Sequence, residues 1–273
     1  MLRNMNSEVM KIERQGGELA IEVSGEGPLL LCVPGMGDLR SEFRHLTPGL
    51  AAAGYRVAVM DLRGHGESSV AFESYDDEAT AGDITAVIEA LGGPATVIGN
   101  SMGAAAAVLA AAERPDLVDR LVLIGPFVRD HGSFILRGLM RAALLRPWGP
   151  LVWRKYFASL FPSGGPEDQA EHAAAVSAAL ARPGRWRAFQ RTARTSHAPA
   201  EAALPEVTAP TLVVMGEEDP DFSDPEAEAR WVADALGGSF EMIAEAGHYP
   251  MAERAGRTLE VILGHLSQNP AHG

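Results

Sequence analysis

From Leu29 onward, short apolar runs alternate with stretches of helical periodicity, and this alternation limits the chain to a few architectures. Strand Leu29 to Val33 is followed by strand Arg56 to Met60, a helix near Glu78 to Leu91, and strand Thr96 to Ile98. Helix Met102 to Glu113 and strand Leu121 to Ile124 come next. Alternation of this kind predicts a parallel sheet covered by helices on both faces. The opening differs, because Val9 to Arg14 and Leu19 to Val23 are short strands punctuated by Gly16, Gly17, Gly25 and Gly27, which predicts an antiparallel start. After Pro126 the rhythm stops. Residues 127–203 read as helices interrupted by Pro147, Pro150, Pro162 and Pro183, with no convincing strand. Strand Thr211 to Met215, helix Ala227 to Leu236, strand Phe240 to Ile243 and a closing helix from Ala252 to Leu266 restore the pattern. The expectation is an α/β core of eight strands built from residues 1–126 and 204–273, with a helical cap, residues 127–203, inserted into it.

Charge and cysteine content narrow the function. A formal net charge of −13 repels a phosphate backbone, so nucleic acid is a poor partner and a small-molecule substrate a better one. The charge is unevenly spread, for residues 127–203 hold eleven Arg or Lys against five Asp or Glu. Solvated arginine faces account for that excess, and a cationic lid that draws in anionic or amphipathic substrates is the alternative. Cys32, the only cysteine, lies in the apolar run Leu29 to Val33, which predicts a buried, inert thiol and leaves no disulfide framework. Neither an apolar leader near Met1 to Glu8 nor a run of about 18 apolar residues is present, so a cytoplasmic protein without a membrane partner is expected, with a homodimer as the candidate assembly.

Chemistry concentrates at Gly99-Asn100-Ser101-Met102-Gly103, a GxSxG sequence between an apolar strand and an alanine-rich helix. A nucleophile on so tight a strand-to-helix turn needs small neighbours two positions away, and Gly99 and Gly103 supply them. The helix N-terminus behind Ser101 favours the negative charge that develops during acyl transfer. Ser101 could alternatively serve as a helix N-cap.

This order of landmarks resembles the α/β-hydrolase superfamily. The resemblance rests on Val33-Pro34-Gly35-Met36-Gly37, Asp61-Leu62-Arg63-Gly64-His65-Gly66-Glu67-Ser68, the Ser101 turn, Gly216-Glu217-Glu218-Asp219 and Ala246-Gly247-His248. It implies an α/β-hydrolase fold with Ser101 as nucleophile, His248 as general base and Asp219 as the acid that orients the histidine. Glu217, Glu218, Asp221 and Asp224 crowd the same loop as alternative acids, and Asp130 occupies the position some relatives use instead. By the same resemblance, the backbone N–H groups of Met36 and Met102 form the oxyanion hole. The sequence departs from the family at Pro34, where many members carry histidine, yet the Met36 N–H is kept. Asp61, Arg63 and His65 read as structural, and His45, His131, His172, His197, His265 and His272 as surface or packing residues.

No metal or nucleotide motif is present, so no cofactor is implied. The expected reaction is hydrolysis of a small, largely apolar ester or thioester through an acyl-enzyme. Rivals are carbon-carbon bond hydrolysis of ring-cleavage products, which the Gly-Asn-Ser-Met-Gly turn resembles, a decarboxylase or cyclase, and a ligand receptor on the same fold. Within the insertion, Phe134 to Trp153 mixes Leu, Met and Trp with Arg137, Arg141 and Arg146. Such a segment would roof the pocket or pack on the core, and a membrane-surface helix is the less favoured alternative given the net charge.

Overall fold

A computed structural model describes residues 8–130 and 134–268. Eight strands form one sheet: β1 (Glu8–Arg14), β2 (Gly17–Ser24), β3 (Leu29–Val33), β4 (Arg56–Met60), β5 (Ala95–Asn100), β6 (Val118–Ile124), β7 (Thr211–Gly216) and β8 (Ser239–Ile243). Their order is β1-β2-β4-β3-β5-β6-β7-β8. As the glycine-punctuated opening predicts, β1 and β2 pair antiparallel, and β2 joins β4 antiparallel. The remaining pairs are parallel. All eight strands read from the sequence are present, so the fold is the expected mostly parallel eight-stranded α/β-hydrolase sheet.

Alternation along each strand decides which face a side chain serves. Leu29, Leu31 and Val33 enter a cluster with Ile84, Val108 and Val232, while Leu30 and Cys32 point the other way, into a cluster with Leu50 and Ile262. The first cluster is closed by α2 (Asp77–Leu91), α3 (Met102–Glu113) and α9 (Pro225–Ala235), and the second by α1 (Thr47–Ala52) and α11 (Ala255–Ser267). Alanines dominate α3, and small side chains let it sit almost wholly buried against the sheet. Burial also pushes the Cys32 thiol far above its ordinary range, as expected of an inert thiol.

Between β6 and β7 the chain forms α4 (Phe134–Ala143), α5 (Gly149–Ser159), α6 (Gln169–Ala181), α7 (Arg185–Thr192) and α8 (Ala198–Ala203), with no strand among the described residues. Trp153 and Phe157 of α5, and Trp186 and Phe189 of α7, join the core cluster that contains Leu30 and Ile98. Phe189 is fully buried, with Trp153 at 4.6 Å and Trp186 at 5.1 Å between ring centroids. Phe189→Ala is therefore expected to destabilise the protein by about 3–5 kcal/mol, the cost of a large cavity at a site walled by rigid rings. A urea midpoint unchanged from wild type would refute that packing.

The closing helix departs from its expected form. Instead of running unbroken from Ala252, it divides into α10 (Pro250–Glu253) and α11, because Arg254 adopts φ −132° and ψ 50°. Pro250 suits the first turn of a helix, and the break leaves the Glu253 carboxylate free to accept the N–H groups of Gly247 and Tyr249.

Strand order reverses at β3, which lies between β4 and β5, and in open α/β sheets the loops that diverge at such a reversal place binding sites at the carboxyl ends of the strands. The loops after β3, β5, β7 and β8 carry Met36, Ser101, Asp219 and His248.

Candidate active site

Ser101 occupies the turn from β5 into α3 with φ 54° and ψ −121°, one of two non-glycine residues with positive φ among the described residues. Such a conformation costs on the order of 1–3 kcal/mol and persists only where the surroundings enforce it. Two constraints do so here. The Ser101 N–H donates to the Ile124 carbonyl at 3.0 Å, and the Phe127 N–H donates to the Ser101 carbonyl at 3.3 Å. A methyl group on Gly99 would meet the Gly103 carbonyl oxygen at 2.5 Å, so these glycines permit the close approach that their spacing predicts. Although Ser101 sits at the N-cap position of α3, its side chain makes no capping hydrogen bond. The N-cap alternative therefore fails.

His248 follows β8 and is buried. Its backbone is held twice, by donation of its N–H to the Leu160 carbonyl at 3.0 Å and by acceptance at its carbonyl from the Asn100 amide at 3.3 Å. Asn100, next to Ser101, also donates to the Ile124 carbonyl, so one side chain ties the serine turn to the histidine loop. The Ser101 hydroxyl and the His248 ring are not hydrogen-bonded to each other in this conformation. Contacts of that kind tighten when substrate binds.

Asp219, after β7, accepts from His248 Nδ1 at 2.8 Å through one carboxylate oxygen and from the Asp221 N–H at 3.0 Å through the other. Of the alternative acids, Asp221 comes nearest, with an oxygen 3.8 Å from Nδ1, and its carboxylate accepts from the Tyr156 hydroxyl. Glu217 is exposed, Glu218 accepts from Ser163, and Asp224 caps α9. Asp130 accepts from Ser196 and from the His197 N–H.

Burial alone would lower the His248 pKa. The charge and hydrogen bond of Asp219, with Asp221 and Glu253 behind it, outweigh that effect and raise it to about 9. Because only neutral imidazole can accept a proton, kcat/KM on a soluble ester is expected to rise as pH climbs from neutrality through about 9. A pH profile already flat at 7 would overturn this. The linked stability has the opposite sign: a pKa raised on folding stabilises below 6.5, the ordinary value, and that contribution is lost as pH passes about 9.

Asp219, Asp221 and His248 also form a group whose ligand atoms lie within 4.8 Å of one another. Each is already engaged, since Nδ1 bonds Asp219, both Asp219 oxygens are used and Tyr156 spans both Asp221 oxygens. A cation would have to displace these bonds, so the donor set fits an acid-histidine pair better than a metal centre.

The two expected oxyanion donors lie in the loop after β3 and at the start of α3. Met102 opens α3, so its N–H has no acceptor within the helix. In the loop after β3, the Gly35 N–H donates to Glu42 at 3.0 Å and the Gly37 N–H to His65 Nε2 at 3.1 Å. Those anchors hold the loop on either side of Met36, so the substitution of proline at position 34 is accommodated. Because Nε2 accepts the Gly37 N–H, the His65 ring is neutral, with Nδ1 donating to the Arg63 carbonyl, and burial lowers its pKa against the raising effect of that second bond. It is a structural residue, as expected, but its partner is the loop of Met36.

Two supports of that loop carry no signal in the sequence. Glu42 is buried, and desolvation followed by the nearby charge of Asp38 raises its pKa well above the usual carboxylate range. His172, read as a surface or packing residue, is buried on α6 and bonds Asp38 at 2.8 Å. No local pattern marks either, since both act on residues brought close only by folding. His265 is a buried packing residue, half-buried His197 bonds Asp77 through Nδ1 at 2.7 Å, and His131 and His272 lie outside the described residues.

A doubly wound sheet with these loops at its carboxyl edge defines an α/β hydrolase. The sequence profile described as "Alpha/beta hydrolase family" matches residues 30–261, and the chain belongs to that family. Among curated relatives, a probable esterase of Oryza sativa subsp. japonica is 25% identical over 96% of this chain and 100% of its own. The 2-(acetamidomethylene)succinate hydrolase of Mesorhizobium japonicum is 31% identical over 73% of this chain and 74% of its own. An esterase from Exiguobacterium antarcticum superposes with a TM-score of 0.83 over 96% of this chain and 100% of its own, at 20% identity, a likeness of fold alone. Family and relatives together support a hydrolase.

Proposed function

We propose that the protein is a serine hydrolase that cleaves a small, largely apolar ester or thioester through an acyl-enzyme. The observation that carries this reading is the strained Ser101 turn, whose hydroxyl caps nothing, at the same carboxyl edge of the sheet as a buried His248–Asp219 pair and tied to it through Asn100. In the first step Ser101 Oγ attacks the carbonyl carbon while His248 Nε2 takes its proton, and the Met36 and Met102 N–H groups hold the oxyanion. As the carbon–oxygen or carbon–sulfur bond breaks, His248 returns the proton to the leaving group. Water, deprotonated by the same nitrogen, then releases the acid and frees Ser101.

Phe127 lies 5.9 Å from the His248 ring and 4.9 Å from Phe222, and such apolar surroundings favour an apolar acyl group. Trp153 and Phe189 close on Gly37, leaving no room for a side chain at that position in the loop. In this reading the segment 127–203 is the cap that sizes the substrate, and no cofactor or metal takes part. The test is covalent labelling by a fluorophosphonate together with turnover of p-nitrophenyl esters of increasing chain length. Labelled Ser101 with chain-length-dependent turnover is expected. Labelling without ester turnover would move the assignment to carbon-carbon hydrolysis or a biosynthetic reaction, and absence of labelling would remove the serine mechanism.

A further inference from the structure

Helix α5 is apolar on two opposite sides. Inward, Trp153 and Phe157 are buried in the core. Outward, Leu151 at 48% exposure and Val152 at 37% lie in the first turn of α5, Trp148 at 52% sits at its N-cap, Leu145 at 45% precedes it in the turn after α4, and Leu139 of α4 is 62% exposed. Five of the seven large exposed hydrophobic residues among the described residues thus fall within fourteen positions of one inserted segment. A helix that spends apolar residues on its solvent side calls for a partner there.

Charge decides which partner. Residues 131–166 contain no Asp or Glu, whereas Arg137, Arg141, Arg146, Arg154 and Lys155 all fall within them. Arg141, Arg146, Arg154 and Lys155 are exposed beside the apolar stripe. Arg146 also opens onto a cleft of about 480 Å³ that it lines with Trp186, Arg187, Gln190, Arg191 and Arg194. Among the described residues, Arg146, Arg187 and Arg194 enter no ion pair. A second copy presenting this same face would set these cations against one another. An assembly with an apolar interior and anionic head groups answers both the stripe and the arginines.

We propose that this face, the outer side of α5 with the arginine cleft beside it, docks on an anionic lipid surface. Whole-chain charge points away from a membrane, but charges beyond a Debye length of about 8 Å contribute little at physiological salt, so the local surface governs contact. Among the described residues no helix is long and apolar enough to cross a bilayer, so the contact is peripheral. Because the inner side of the same helix places Trp153 against the loop of Met36, docking would set the candidate site close to the lipid boundary.

Sedimentation with vesicles tests this without reference to turnover. Wild type is expected to pellet with vesicles of equal parts phosphatidylglycerol and phosphatidylcholine, not with phosphatidylcholine alone, and less at high salt. Leu151→Asp with Val152→Asp, and separately Arg146→Glu with Arg187→Glu, should each lower the partition coefficient roughly tenfold or more. The first pair is exposed and the second lines an open cleft, so far-ultraviolet circular dichroism and fluorophosphonate labelling should match wild type in both. Failure of wild type to pellet at low salt, or pelleting unaffected by either double variant, would overturn the proposal. So would a wild-type dimer on gel filtration that Leu151→Asp with Val152→Asp converts to monomer, which would assign the face to self-association.

Discussion

Ser101→Ala is expected to lower kcat/KM for p-nitrophenyl butyrate by about 10⁴-fold and to abolish fluorophosphonate labelling, with thermal stability near that of wild type. The size follows from the proposed mechanism. Without the hydroxyl no acyl-enzyme forms, and what persists is the weaker catalysis of a bound ester by oxyanion donors and water. Stability should hold because the hydroxyl caps no helix and Ser101 is held by its backbone, through Ile124 and Phe127. Alanine keeps those bonds and inherits the same φ of 54°. A variant that retained a tenth of wild-type activity would eliminate Ser101 as the nucleophile, whatever the geometry around it. Loss of activity accompanied by unfolding would instead point to a structural hydroxyl.

Asp219→Asn should be nearly as severe, with about a 10³–10⁴-fold loss, whereas Asp221→Asn should cost less than about tenfold. In the proposed mechanism the carboxylate of Asp219 fixes the tautomer that leaves Nε2 as the base, and an amide in its place can present a donor to Nδ1 and reverse it. Asp221 is 3.8 Å from the same nitrogen, beyond a hydrogen bond, and contributes through its charge. Removing that charge should move the midpoint of the pH profile below the value of about 9 to which His248 is raised. Kinetics of the two variants across pH separate these roles. Equal losses in both would mean that the two acids share the histidine.

The sheet was legible because its strands satisfy local rules. Leu29 to Val33, Thr96 to Ile98 and Thr211 to Met215 are short apolar runs set between turns and amphipathic helices, and their pattern survives any detail of packing. Ser101 was legible for a related reason, since strand, turn and helix around it are contiguous in the chain and the glycine spacing records the close approach they need. His248 and Asp219 carry weaker local signals and stand out only through the order of landmarks; the structure places them 2.8 Å apart. The closing helix reads as continuous because the break at Arg254 leaves no mark in propensity. What bends it is the service of Glu253 to the histidine loop, a tertiary requirement.

Sequence alone determined the class of fold, the position of the serine turn and the residues proposed to complete a triad, because these depend on contiguous periodicity and on residue chemistry. Tertiary structure decided which of five nearby acids meets His248, how Glu42 and His65 brace the loop of Met36, and that His172 reaches across from α6 to Asp38. It also decided that α5 turns Trp153 inward and Leu151 outward. Each of these depends on distances between residues far apart in the chain. Such distances are set by the packing of whole elements, where one side chain's burial is another's hydrogen-bond partner, and no local pattern carries that information.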